Sequence, residues 1–137
     1  MEDCIFCKIV KGEIPSEKVY EDDKCLAFLN INPNNDGTTL LIPKKHYENY
    51  FETPDDILKH LSVKTKILGK IIKKIVGAEG MNIIINSETA AGQVIFHTHI
   101  HIIPRYKNDG YQHWKPKKYD SEKSAQIAEK IKKELAK

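Results

Sequence analysis

Apolar and polar positions along this chain follow two periods, and the switches between them mark out its elements. The run Cys4-Ile5-Phe6-Cys7-Lys8-Ile9-Val10 spaces its apolar groups as a short helix does, and Gly12 with Pro15 closes it. Three strand-like runs follow: Val19-Tyr20-Glu21, Cys25 to Asn30, and Thr38 to Ile42. A charged Asp22-Asp23-Lys24 turn and the loop Asn32 to Gly37 separate them, Pro43 ends the last, and the set predicts an antiparallel meander. Thr53-Pro54-Asp55-Asp56 then has the grammar of a helix start, with a hydroxyl at the N-cap, proline at the first helical position and two acids facing the positive end of the dipole. Ile57, Leu58, Leu61, Leu68, Ile71, Ile72 and Ile75 recur at helical spacing. They predict an amphipathic helix of about five to six turns that stops before Gly77 and Gly80. Met81 to Asn86 is a β-branched run, Glu88 to Gly92 a loop, and Phe96 to Ile103 a strand stopped by Pro104. Residues 105–120 read as irregular, and from Ser121 a last helix carries Ile127, Ile131 and Leu135 on one stripe.

A chain of 137 residues with 40% hydrophobic and 30% charged side chains has the composition of one soluble globular domain, not of a disordered or membrane protein. The formal charge is +3, with many lysines near the C-terminus (Lys115, Lys117, Lys118, Lys123, Lys130, Lys132, Lys133, Lys137). That suits a phosphate-bearing ligand but is too weak to predict nucleic-acid binding. The start Met-Glu-Asp-Cys has no basic stretch leading into an apolar one, and no apolar run approaches the length of a membrane span. The expectation is a cytoplasmic protein without a membrane partner. Of three cysteines, Cys25 sits in an apolar run as a small buried hydrophobe, whereas Cys4-x-x-Cys7 favours metal or redox chemistry over a disulfide. No strand precedes the pair to place it at a helix start, which weakens the redox reading.

The run His97-Thr98-His99-Ile100-His101 carries the candidate chemistry. In a strand the three histidines share one face, at intervals of about 6.6 to 7 Å. Neutral imidazole is abundant at pH 7 and serves as a nucleophile or a metal ligand without a separate activating base. Attack on phosphorus by such a ring gives a phosphoramidate that water then hydrolyses, splitting one hard displacement into two. The bland reading, three polar groups on a wet edge strand, does not account for such strict alternation. A further reading has the three histidines together holding a catalytic metal. His60, on the polar side of the long helix, reads as solvated.

This strand resembles the signature of the histidine-triad superfamily of nucleotide hydrolases and transferases. The likeness extends over Cys4 to Ile9, Glu21 to Phe28, Leu41 to His46 and Gly92-Gln93. It implies an α+β fold, with an antiparallel sheet of about five strands, one long helix packed across it and a C-terminal helix. It implies one such domain over 1–137, with 1–15 as an N-terminal cap segment and 105–137 as a C-terminal extension, and a homodimer whose sheets join. It makes His99 the nucleophile toward the α-phosphorus of a purine nucleotide or nucleotide conjugate. The main-chain carbonyl of His97 would orient that ring, and His101 would donate to the phosphate. Gln93 and Asn86 match positions that contact the phosphate or its leaving group, although Asn86 reads equally well as a strand-end turn residue. Gly92 lets the backbone approach the phosphate. Asn30 falls at the ribose position, and Ile5, Phe6, Ile9, Phe28 and Ile31 would form the slot for the base. The resemblance to zinc-containing relatives makes Cys4, Cys7, His46 and His97 a closed, structural zinc set. Otherwise the two cysteines are free buried thiols and His46 caps the Pro43-Lys44-Lys45 turn. Val94 departs from the pattern, standing where the best-known branches carry a hydroxyl residue. A Trp after the triad reaches the partner's active site in some relatives, but here the spacing to His113-Trp114 is longer, so these read as surface or dimer-packing residues.

Overall fold

A computed structural model describes residues 3–137; Met1 and Glu2 of the cap segment lie outside the described residues. Helix α1 (Ile5–Val10) precedes strands β1 (Lys18–Glu21), β2 (Cys25–Leu29) and β3 (Thr39–Pro43), then helix α2 (Asp55–Val76). Strands β4 (Gly80–Ile84) and β5 (Ile100–Arg105) and helix α3 (Ser121–Leu135) complete the order. The five strands form one antiparallel sheet in the order β1-β2-β3-β5-β4.

The meander is read correctly, and the alternation along its strands explains its two layers. Cys25, Ala27, Leu41, Ile100 and Ile102 face α2, where they pack with Leu61 and Leu68. The intervening residues Leu26, Phe28, Leu40 and Ile42 face the other way, onto Phe6 and Ile9 of α1. Strands covered on both faces lose the polar half of their pattern, so β2 and β3 read as unbroken apolar runs. Ile102 is fully buried at the centre of the α2 layer. Ile102→Ala is expected to cost about 2 to 5 kcal/mol in urea unfolding, since the sheet between two layers has little room to collapse.

Three expectations need correction, and the predicted stripe of the last helix is found without a cover. Thr53 is not the N-cap of α2: Pro54 is, without a side-chain bond. The Thr53 hydroxyl instead donates to the Asn49 carbonyl at 2.8 Å and meets the Thr98 hydroxyl at 2.7 Å, tying the entry of α2 to the histidine segment. Pro104 does not end β5, because β3 pairs with β5 only at Ile100 to Ile102; beyond that no strand needs its missing N–H, and the Asn35 amide donates to the Pro104 carbonyl at 2.8 Å. The apolar stripe of α3 is exposed, with no residue of that helix buried in this chain. His60 is not simply solvated: its Nε2 lies 2.7 Å from Asp22 Oδ2, joining α2 to the turn after β1.

Burial opposes the charge on Asp22. The N–H groups of Lys24 and Cys25, the Tyr20 hydroxyl and His60 outweigh it and hold the carboxyl well below the usual carboxylate range. A depressed folded-state pKa stabilises the fold above the unfolded value of about 3.9, and that contribution is lost as the pH falls below it. Asp22→Asn is therefore expected to be destabilised relative to wild type at pH 7, with the gap closing toward pH 2. Urea unfolding across that range checks it; a gap independent of pH would show that the charge contributes nothing.

Candidate active site and metal cluster

The histidine motif does not run as one regular strand. β5 begins at Ile100, and residues 95–97 form a bend before it. Thr98 N–H donates to the Tyr47 carbonyl at 2.8 Å, so this segment is held by the loop after β3 and not by the sheet. His97 is wholly buried and turned toward the N-terminal segment. Its Nε2–H donates to the Pro43 carbonyl at 2.8 Å, which leaves Nδ1 as a bare lone pair 3.4 Å from Cys4 Sγ and 3.6 Å from Cys7 Sγ. The Phe6 ring stands against both His97 and His99, with centroids 5.8 and 5.1 Å away. Only His99 and His101 face each other, with ring centroids 4.9 Å apart. The even row of three imidazoles predicted from strand geometry is thus a pair plus a tether. Both His97 nitrogens are engaged elsewhere, so the three rings have no common metal position.

Cys4, Cys7, His46 and His97 bring their donor atoms within 4.8 Å of one another. Cys7 Sγ lies 3.4 Å from His46 Nδ1, besides the two His97 distances. Bonds of about 2.3 Å to sulfur and 2.0 to 2.1 Å to nitrogen at tetrahedral angles separate S and N by about 3.5 Å, so the set fits Zn²⁺. Burial and the adjacent Cys4 thiol push the Cys7 thiol above its ordinary value, as expected for paired thiols with no cation between them. The Pro43 carbonyl supplies the outer hydrogen bond that orients such an imidazole ligand. Cys4 also accepts from the Cys7 N–H as the N-cap of α1, so the cluster and the first helix are one unit. Cys25, by contrast, is a buried thiol pushed up to about 12 by burial and Asp22.

His99 Nδ1–H donates to the His97 carbonyl at 2.7 Å, which fixes the tautomer and leaves Nε2 as the free lone pair. Burial pushes both imidazoles below their ordinary value, with the His97 carbonyl opposing it at His99. At His101 the neighbouring His99 adds to the effect, taking it to about 4. Both rings are neutral at pH 7. They line a cavity of about 370 Å³.

Ile5, Phe6 and Ile9 of the N-terminal helix, Phe28 of β2, the Asn30-Ile31 loop, Gly92, His99 and His101 all line that cavity. Gly92 adopts φ +95°, a left-handed conformation that glycine tolerates, and a Cβ there would sit 3.7 Å from Asn86 Nδ2. Asn86 therefore stands directly behind the loop and does not itself line the cavity. Gln93 is also set back. Its Oε1 accepts from Glu88 N–H at 2.7 Å and its Nε2 donates to the Glu48 and Ile95 carbonyls, making it a brace for the loop. Val94 lines the cavity and is 83% exposed. Sequence reasoning missed Ile14, Pro15, Ser16 and Leu40, which also line it. Leu40 carried only a core signal, and the 14–16 loop carried none. A larger open cleft of about 600 Å³ runs beside β4, lined by Arg105, Lys107 and His113, without a facing imidazole pair.

The family model of the HIT domain matches residues 11–108. The chain belongs to the HIT domain family. The HIT match begins after Cys4 and Cys7 and ends before α3. An uncharacterized HIT-like protein of Methanocaldococcus jannaschii is 53% identical over 107 residues, covering 78% of this chain and 82% of its own. The adenosine 5′-monophosphoramidase of Candida albicans is 39% identical over 141 residues, covering 98% and 92%. The crystal structure of a zinc-bound histidine triad family protein from Mycobacterium smegmatis aligns with a TM-score of 0.77 at 32% identity, covering 99% of each chain. Among the described residues no helix is long and apolar enough to cross a membrane.

Proposed function

We propose that this HIT protein hydrolyses a nucleoside phosphoramidate or dinucleoside polyphosphate at its α-phosphorus, through a nucleotidyl-histidine on His99, and releases a nucleoside monophosphate. The observation that carries this reading is the neutral His99, its tautomer locked by the His97 carbonyl and its free Nε2 beside His101 at the end of an apolar slot. The monophosphoramidase relative supports it.

His99 Nε2 attacks phosphorus as the bond to the leaving group breaks, an amine leaving group taking up a proton from solvent as it departs. Water then cleaves the nitrogen–phosphorus bond, its oxygen joining the phosphate and its proton going to solvent. His101, through a ring N–H, stabilises the charge on the phosphoryl oxygens, and Gly92 lets the loop close on them. Asn30 faces the ribose, and Phe6, Ile9, Phe28 and Ile31 hold a purine, with Ile5 at the rim. Asn86 and Gln93 act from behind Gly92, by fixing the loop that carries it. Cys4, Cys7, His46 and His97 would hold a Zn²⁺ ion in a closed, structural site, tying the oriented carbonyl of His97 to α1 and the loop after β3. The unpaired edge of β4 and the exposed stripe of α3 support a homodimer with joined sheets.

A panel of adenosine phosphoramidates, diadenosine polyphosphates and nucleotide sugars, assayed for AMP release, tests the proposal. Alkaline quenching during turnover should trap a chain heavier by one nucleotidyl group at His99. A second reading, a nucleotide-binding module with little turnover, is favoured by one specific observation. Val94 has no donor and the Gln93 amide is spent inside the protein, so neither side chain assists a leaving group. AMP binding without cleavage of any panel member would establish that reading instead.

A further inference from the structure

Among the described residues two buried side-chain polar atoms lack a hydrogen-bond partner, His101 Nε2 and Ser16 Oγ, and both residues line the same cavity. Buried polar groups are almost always paired, so two orphans in one cavity mark the points where a ligand completes the bonding. The phosphate takes His101 in the reading above. Ser16 lies far from it. It stands in the loop between α1 and β1, and β1 is separated from β5 by β2 and β3. Lys18 of β1 stands in register with His101 across Phe28 and Leu40, three strand spacings or about 14 Å apart, and Ser16 precedes Lys18 by two residues. The wall between them is apolar, built from Phe6, Ile9, Phe28 and Leu40.

A ligand that places its phosphate at His99 and His101 and a flat ring along that wall brings the outer edge of the ring to Ser16. We infer that Ser16 Oγ hydrogen-bonds the edge of the nucleobase, making it the residue that rewards a base over a bare sugar phosphate. The inference rests on the nucleotide reading and adds to it. A hydroxyl both donates and accepts, so it pairs with a ring nitrogen, an exocyclic amine or an oxo group. It therefore senses that a base is present and discriminates little among bases. A ligand without a base makes no bond to this hydroxyl.

Ser16→Ala separates this role from a structural one. The variant loses no hydrogen bond of the free protein, so its thermal unfolding midpoint is expected to equal or exceed that of wild type. Affinities for AMP and for ribose 5-phosphate would be measured by displacement of a fluorescent AMP analogue, which registers weak competitors. The expected result is about tenfold weaker AMP binding, equivalent to about 1.4 kcal/mol, with ribose 5-phosphate unchanged. Undiminished AMP affinity in the variant, or an equal loss for both ligands, overturns the base contact while leaving the nucleotide reading in place. A wild-type protein that binds no nucleotide overturns both.

Discussion

Replacing His99 with alanine is expected to lower the release of AMP from an adenosine phosphoramidate by at least about 10³-fold while AMP binding changes only a few-fold. Removal of a covalent nucleophile costs rate on that scale because no neighbouring group can substitute for it. His101 is the one other imidazole in the cavity, and it lacks the carbonyl partner that sets the His99 tautomer. The slot proposed for the base is lined by α1, β2 and β3 and loses only one ring of contact, so affinity is expected to survive. Single-turnover assays beside equilibrium binding check the two halves separately. Retained turnover in His99→Ala would remove the covalent mechanism, and a collapse of AMP binding with intact fold would move His99 from chemistry to recognition.

The second large effect concerns the thiols. Wild-type protein is expected to contain one zinc per chain, and Cys4→Ser to lose it together with on the order of 4 kcal/mol of stability. The loss is large because Cys4 is at once a donor to the cluster and the N-cap of α1, whose Phe6 and Ile9 cover one face of the sheet. His99→Ala, in contrast, should keep its full metal content. Elemental analysis and thermal unfolding of both variants decide the matter: metal that follows His99 and ignores Cys4 would exclude the structural site.

Much of this was legible because the apolar pattern reports burial. The periods of β2, β3 and α2 placed those elements within a residue or two, and the alternation of histidine with isoleucine located the cavity wall on β5. What stayed hidden depends on partners distant in sequence. Nothing around His97 announces that it leaves the strand, because the groups that turn it are Cys4, Cys7 and the Pro43 carbonyl. Thr53 offered a sound cap signal, yet the Thr98 hydroxyl engages it. Gln93 has the chemistry of a phosphate contact, but three internal hydrogen bonds consume it. Ser16 could be found only by asking which buried polar atoms are left unpaired.

On β5 the letters of two messages are interleaved. Ile100 and Ile102 spell the packing against α2, and His101 between them spells the chemistry on the other side. Slipping β5 by one residue against β3 and β4 would exchange the two readings, sending imidazole into oil and isoleucine into the cavity. This strand therefore accepts change by substitution, letter for letter, but not by a change of length that slips its register.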